Sequence, residues 1–284
     1  MSGKMELHWK NGSLSLHRCR VMGILNITPD SFYDGGQFTQ LDKAVERAWD
    51  MVDQGADILD IGAESSRPGS DSISVDQEKK RLFPLLEKLK IEKYPLPISL
   101  DTTKPEILSE ASKNEWVQIA NDISGLRDPA MVAVVVANQI PVIVMHMLGT
   151  PQTMQKEIAY EDVVTDIIQF FKKRLNDCRL KNNVVLDPGI GFGKSVRHNL
   201  TILNRLNEFQ ELGFPIMVGV SRKSFIGEIL DLPVADRLEG SLAAAAIAVD
   251  RGAKILRVHD VQETVRLVKT IEAIKKGSEG VGAL

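Results

Sequence analysis

Cysteine is scarce in this chain. Only Cys19 and Cys178 occur among 284 residues, and they lie far apart. So separated, they give neither a disulfide framework nor a metal-ligand spacing, and a reducing cytoplasm is the expected compartment. An excess of charge is also missing. Lys plus Arg number 35 against 38 Asp plus Glu, for a formal charge of −3. That balance gives no electrostatic reason to expect nucleic acid or an anionic membrane as partner, although an anionic substrate can still be held locally. Long apolar runs are absent too: Leu242 to Val249 is far too short to span a bilayer. Met1 to Glu6 offers no apolar stretch for a signal peptide, so a soluble intracellular protein is expected. No linker rich in Gly, Ser or Pro divides the chain, and residues 1–284 read as one domain.

What is present is a repeat of short apolar runs and longer amphipathic segments. The runs lie near Val21–Asn26, Ile58–Ala63, Ile98–Asp101, Gln118–Asp122, Val142–His146, Val184–Asp187, Ile216–Val220 and Ile255–His259. Most are too short for helices and rich in Val and Ile, as strands buried on both faces should be. Between them, Ala44-Val45, Ala48 and Met51-Val52 fall on one helical face, as do Val163-Val164, Ile167-Ile168, Phe171 and Leu175. Eight such units predict an α/β fold, a closed (β/α)₈ TIM barrel, with a doubly wound open sheet as the alternative. Before them, Glu6 to Leu16 alternates around Asn11-Gly12, which predicts an N-terminal β-hairpin covering the bottom of the barrel.

The polar residues are unevenly placed. Asn26, Asp60, Asp101, Asn121, Asp187 and His259 are read at the downstream ends of their runs, which converge on the active-site face of such a barrel. Gathering amide, carboxylate and imidazole groups on one rim is costly unless a polar ligand satisfies them. The first loop, Asn26 to Gly36, is long, with Gly35-Gly36 as a possible hinge, and the Asn26 carbonyl suits Mg²⁺ in company with phosphate oxygens. In the second, Ser66-Arg67-Pro68-Gly69, Arg67 offers a planar fork to phosphate. Asp101, Asn121 and Asp187 suit the donors and acceptors along one edge of a planar heterocycle. Lys223 precedes a helix start and can reach inward, while Arg257 and His259 project to one side of their strand. Each motif alone also has a plain structural explanation: a turn, a cap, a solvated base. His146 is read first as packed, and His8, His17 and His198 as structural or exposed.

Together, Met22 to Phe32, Asp60 to Gly69, Leu186 to Lys194 and Gly219 to Ser224 resemble the pterin-binding family, specifically its dihydropteroate synthases. The likeness runs from about Val21 to about Thr270. It implies condensation of 6-hydroxymethyl-7,8-dihydropterin diphosphate with 4-aminobenzoate, yielding 7,8-dihydropteroate and diphosphate. It further implies that Asp101, Asn121, Asp187 and Lys223 hold the pterin, with Met145 nearby and Arg257 stacked on its face. Asn26 would ligate Mg²⁺ on the diphosphate, which Arg67, His259 and the Ser66 hydroxyl would contact. Ser66, Pro68, Phe192, Lys223 and Ser224 would frame 4-aminobenzoate, and Asp34 would pair with Arg67 once the first two loops close. A homodimer through late helices is implied, the Ala243–Ala246 run being compatible with it, and inhibition by sulfonamides is expected.

Two departures from the family pattern stand out: Tyr33 where a small residue is common, and Ala63 where Gly is frequent. Both bear on the loops and spare the chemistry. The rivals are a methyltetrahydrofolate:corrinoid methyltransferase-like barrel, which has no diphosphate to bind, and a non-catalytic pterin-binding paralogue. Arg67 with the Arg257/His259 pair speaks against the first. Asn26, Arg67, Lys223 and His259 together speak against the second.

Overall fold

A computed structural model describes residues 5–27, 37–64, 70, 72–155 and 158–277, with residues 37–39 described in backbone alone. A hairpin comes first, β1 (Glu6–Trp9) with β2 (Gly12–Ser15); Trp9 pairs with Gly12, so the turn falls on Lys10-Asn11, one residue before the Asn11-Gly12 expected from sequence. The repeat follows: β3 (Arg20–Asn26), α1 (Gln37–Asp53), β4 (Ile58–Gly62), α2 (Val75–Ile91), β5 (Ile98–Asp101), α3 (Pro105–Lys113), β6 (Ile119–Asp122) and α4 (Pro129–Asn138). It continues with β7 (Val142–Met145), α5 (Val163–Asp177), β8 (Val184–Asp187), α6 (Val196–Asn204), β9 (Met217–Val218), α7 (Ser224–Leu230), α8 (Leu238–Asp250), β10 (Ile255–Val258) and α9 (Val261–Lys276).

Strands β3 to β10 pair in parallel, in the order β8-β7-β6-β5-β4-β3-β10-β9. A bridge between Leu186 and Ile216 joins β8 to the approach of β9, so the ring is nearly closed and the open sheet is excluded. β9 keeps only two paired residues where a run of five is expected from sequence, because Gly219 and Val220 have already left the ladder.

Side chains alternate across each strand, so every second residue points into the ring. The first inward positions, Met22, Ile58, Ile119, Ile143, Val185, Met217 and Ile255, form one buried apolar layer with Leu7 and Leu16 of the hairpin. The hairpin therefore closes the lower end. Asn183, just before β8, fastens it there by accepting from the His8 amide at 2.9 Å and donating to the His8 carbonyl at 2.8 Å. The outward residues of the strands pack with the helices in a second, larger core.

Candidate active site

One step further up each strand, the inward residues change character. Asp60 of β4 stands two places above Ile58, Asn121 above Ile119, Met145 above Ile143, Asp187 above Val185 and Arg257 above Ile255. The strand register sets Asp101 beside Asn121 and Met145 beside Asp187. These positions open toward the carboxyl ends of the strands, the catalytic face of this fold.

Arg257 is the hub of one half. Its Nη2 lies 2.6 Å from Asp60 and 2.7 Å from Asp101, and its Nε donates to Asp60 at 2.7 Å. Asp60 is fully buried and also accepts from the Asn121 amide at 3.3 Å. Burial raises the Asp101 carboxyl to about 7, with Arg257 pulling against it and Asp60 adding to the rise. Burial also works against the charge on Arg257, but Asp60 and Asp101 outweigh it and the guanidinium stays charged.

The other half is built on Asp187 and Lys223. Burial raises the Asp187 carboxyl, while the Gly189 amide, donating to it at 2.7 Å, opposes the rise. Burial lowers the Lys223 ammonium to about 8, with Asp187 opposing the shift and Arg257 adding to it. Lys223 Nζ stands 4.3 Å from the centroid of the Phe192 ring, a cation–π distance. The turn carrying Phe192 threads a narrow gap. Gly189 has φ +70°, and a Cβ there would fall 2.0 Å from the His146 carbonyl oxygen. Gly191 has φ +84°, and a Cβ there would press on the Lys223 stem at 3.2 Å. Only glycine fits both constraints.

The neighbours Arg222 and Lys223 separate in role. Arg222 binds Asp260 through two hydrogen bonds of 2.9 Å, and so fastens the β9 exit to the β10 exit, while Lys223 turns to the pocket. His259 stands exposed at the rim just past β10, its Nδ1 3.0 Å from the Ser221 hydroxyl. Asn26 ends β3 in an exposed position, and Ser224 begins α7, also exposed.

The structure thus places Asp101, Asn121, Met145, Asp187, Phe192, Lys223 and Arg257 at the carboxyl end of the barrel, with Asn26, Ser224 and His259 at the ends of neighbouring strands or turns. Asp34, Ser66, Arg67 and Pro68 lie outside the described residues, as do Tyr33 and the Gly35-Gly36 pair. From sequence Asp60 falls among the strand-end residues of the rim, with no particular partner or ligand assigned to it. It lies mid-strand and is the partner that Arg257 and Asn121 share. A lone carboxylate inside Ile-Leu-Asp-Ile was the available signal. Lys194, which the sequence marks only as the end of the Leu186 to Lys194 motif, is almost wholly buried. His146 is packed, as expected, edge-on to Phe170 at 4.9 Å between centroids.

A parallel barrel with a buried acid–amide–base cluster at its carboxyl mouth defines an enzyme that takes a polar planar ligand. A family model described as pterin binding enzyme matches residues 22–259. A dihydropteroate synthase of Haemophilus influenzae is 45% identical over 273 residues, covering 95% of this chain and 98% of that protein. A crystal structure of the Yersinia pestis dihydropteroate synthase in a sulfonamide drug complex superposes with a TM-score of 0.90 at 40% identity, covering 96% of this chain and 100% of that one. The Xanthomonas albilineans dihydropteroate synthase with 4-aminobenzoic acid gives 0.89 at 38% identity, covering 96% and 99%. The chain belongs to the pterin-binding enzyme family, on its dihydropteroate synthase branch, and is a transferase of folate synthesis.

Proposed function

We propose that the site joins 6-hydroxymethyl-7,8-dihydropterin diphosphate to 4-aminobenzoate by dissociative substitution, releasing diphosphate, with the residues acting as follows. The observation that carries this reading is the set of Asp101, Asn121 and Asp187 on inward strand positions, the last two buried, with Lys223 and Arg257 beside them. Carboxylates accept from the amino and ring N–H groups along one pterin edge, and the Asn121 amide serves both a donor and an acceptor. Lys223 donates to a ring oxygen or nitrogen, and Arg257 lies over the ring face. Met145, buried at the end of β7, gives the pterin an apolar wall.

An arylamine is neutral at pH 7 and carries a free lone pair, so the chemistry needs no general base to activate it. The demanding event is cleavage of the bond between the pterin methylene carbon and the diphosphate oxygen. Positive charge grows on carbon, where the carboxylates and the electron-rich pterin stabilise it. Negative charge grows on the leaving oxygens, where His259, Arg67 and the Ser66 hydroxyl stabilise it. The amine then attacks carbon and loses a proton to solvent.

Asn26 supplies one neutral oxygen, and no group of three His, Cys, Asp or Glu side chains converges for a metal among the described residues. That donor set fits Mg²⁺ held mainly by substrate phosphate oxygens and water, with Asn26 as its protein ligand. When bound, Mg²⁺ neutralises charge developing on the leaving diphosphate. For 4-aminobenzoate, Phe192, Lys223 and Ser224 form one side of the site and Ser66 and Pro68 the other, with its carboxylate near the start of α7. Asp34 pairs with Arg67 when both loops close over the substrates. The 4-aminobenzoic acid and sulfonamide held by the two related enzymes support this second subsite and an expected sensitivity to sulfonamides.

The reading extends to a homodimer, supported by Ile229, Leu230, Val234 and Ile247, exposed apolar side chains on and around α7 and α8. It extends also to the cytoplasm, where two unpaired thiols persist. The test is diphosphate release by purified protein given the pterin diphosphate, Mg²⁺ and 4-aminobenzoate, each omitted in turn. Dihydropteroate should form only with all three present. Pterin binding without turnover would point instead to a binding protein.

A further inference from the structure

Lys194 closes the turn after β8 and is 4% exposed, yet the reaction above has no use for it. Its ammonium donates to the Phe192 carbonyl at 2.9 Å and to the His146 carbonyl at 3.4 Å, and it lies 3.1 Å from His146 Nδ1. An ammonium has three N–H donors and accepts nothing, so these three partners use it fully. With the ammonium donating, His146 Nδ1 is the accepting nitrogen and the ring proton sits on Nε2; burial lowers the Lys194 pKa to about 7, with Asp187 opposing the shift. Burial, with the Lys194 charge adding to it, holds His146 well below the usual imidazole range, which agrees with a neutral ring.

The turn has other supports on either side of Phe192. The Gly191 amide donates to Asn199 at 2.8 Å, and the Tyr160 hydroxyl donates to the Gly193 carbonyl at 3.0 Å. Lys194 holds the Phe192 peptide itself and ties it to His146 just past the end of β7. On the pocket side, the Phe192 ring packs against the Met145, Met147 and Met154 cluster below the Lys223 ammonium. Taking an ammonium out of water is costly and returns little stability by itself, so its placement points to geometry as the benefit.

We infer that Lys194 is a positioning residue: with His146 it ties the turn after β8 to the end of β7 and thereby sets the Phe192 ring against Lys223 on the 4-aminobenzoate side of the site. This rests on the reading that Phe192 and Lys223 frame 4-aminobenzoate. A small displacement of that ring weakens the second subsite. The pterin carboxylates stand on separate strands and are left in place.

The test compares substrate constants. Lys194→Met keeps side-chain length and removes the ammonium. It should raise the KM for 4-aminobenzoate about tenfold and leave the Kd of a pterin lacking diphosphate within about twofold of wild type. His146→Leu should follow it, whereas His146→Asn, which retains an acceptor near the Nδ1 position, should stay close to wild type. An unmoved 4-aminobenzoate KM in Lys194→Met and His146→Leu overturns the inference. So does an equal weakening of both substrates, which a general loss of structure would produce. If Lys194→Met does not fold, the two His146 variants decide the matter by the same criterion. Wild-type turnover is measured first. Its absence would sink the proposed function, while normal turnover with unmoved variants sinks only the positioning role.

Discussion

The lower and upper ends of this barrel are two residues apart on the same strands, and they are chemically opposite. Ile58, Ile119, Val185 and Ile255 point inward below, and Asp60, Asn121, Asp187 and Arg257 point inward above. Below, the ring is filled with aliphatic and thioether side chains and sealed by Leu7 and Leu16. Above, five charged groups, Asp60, Asp101, Asp187, Lys223 and Arg257, are withdrawn from water and held by one another. The contrast divides labour within a single strand: its first half stabilises the fold and its second half binds. Polar groups can be gathered at the mouth because the floor beneath them is apolar and closely packed.

Arg257 is where this division should break most visibly. Arg257→Met removes a group proposed to face the pterin and also leaves Asp60 and Asp101 without their cation. A fall in kcat/KM for the pterin diphosphate of about 10³-fold is expected, together with a stability loss of about 3 kcal/mol. Steady-state kinetics and urea unfolding measure the two. Lost activity with unchanged stability would show that the upper cluster contributes nothing to the fold.

Below the divide, Ile143→Ala should do the reverse. Truncating a fully buried aliphatic side chain in the floor is expected to cost about 3 kcal/mol, with kcat/KM of the folded enzyme nearly unchanged. If turnover of the folded fraction dropped with it, floor and mouth would be mechanically coupled.

Between these lies a pH effect that belongs to the mouth alone. Burial lowers the Lys223 pKa to about 8, so its charge is present below that pH and lost as pH rises through it. Affinity for the pterin diphosphate should therefore fall above about pH 8. A profile flat to pH 9.5 would mean that Lys223 keeps its proton there. The smallest effect is expected at the hairpin. Asn183→Ala removes both hydrogen bonds to His8 and should lower stability by about 1 to 2 kcal/mol without altering either substrate constant.

Much of this was legible along the chain. Strand and helix periods differ, so the alternating units announced the barrel, and Asn11-Gly12 announced the hairpin that plugs it. Asp101, Asn121 and Asp187 were legible because each ends an apolar run, where a polar group is conspicuous. Asp60 was harder to place, since a residue in the middle of a strand ordinarily belongs to the packing. Its role depends on Arg257, 197 positions away. Lys194 was hidden for a related reason. A lysine after a glycine-rich turn looks solvated until folding brings the His146 carbonyl and ring nitrogen over it.

By itself, the sequence determined the things that follow from local periodicity: the alternation of strands and helices, the approximate place of each strand, and the chemical type standing near most strand ends. Tertiary structure alone decided which charges meet. Pairing Arg257 with Asp60 and Asp101, turning Arg222 to Asp260 while Lys223 faces the pocket, and burying Lys194 against His146 are all contacts between distant segments. Closure of the ring sets those distances. In a low-dielectric interior, distance and burial decide whether a charged side chain is a ligand, a strut or a cost.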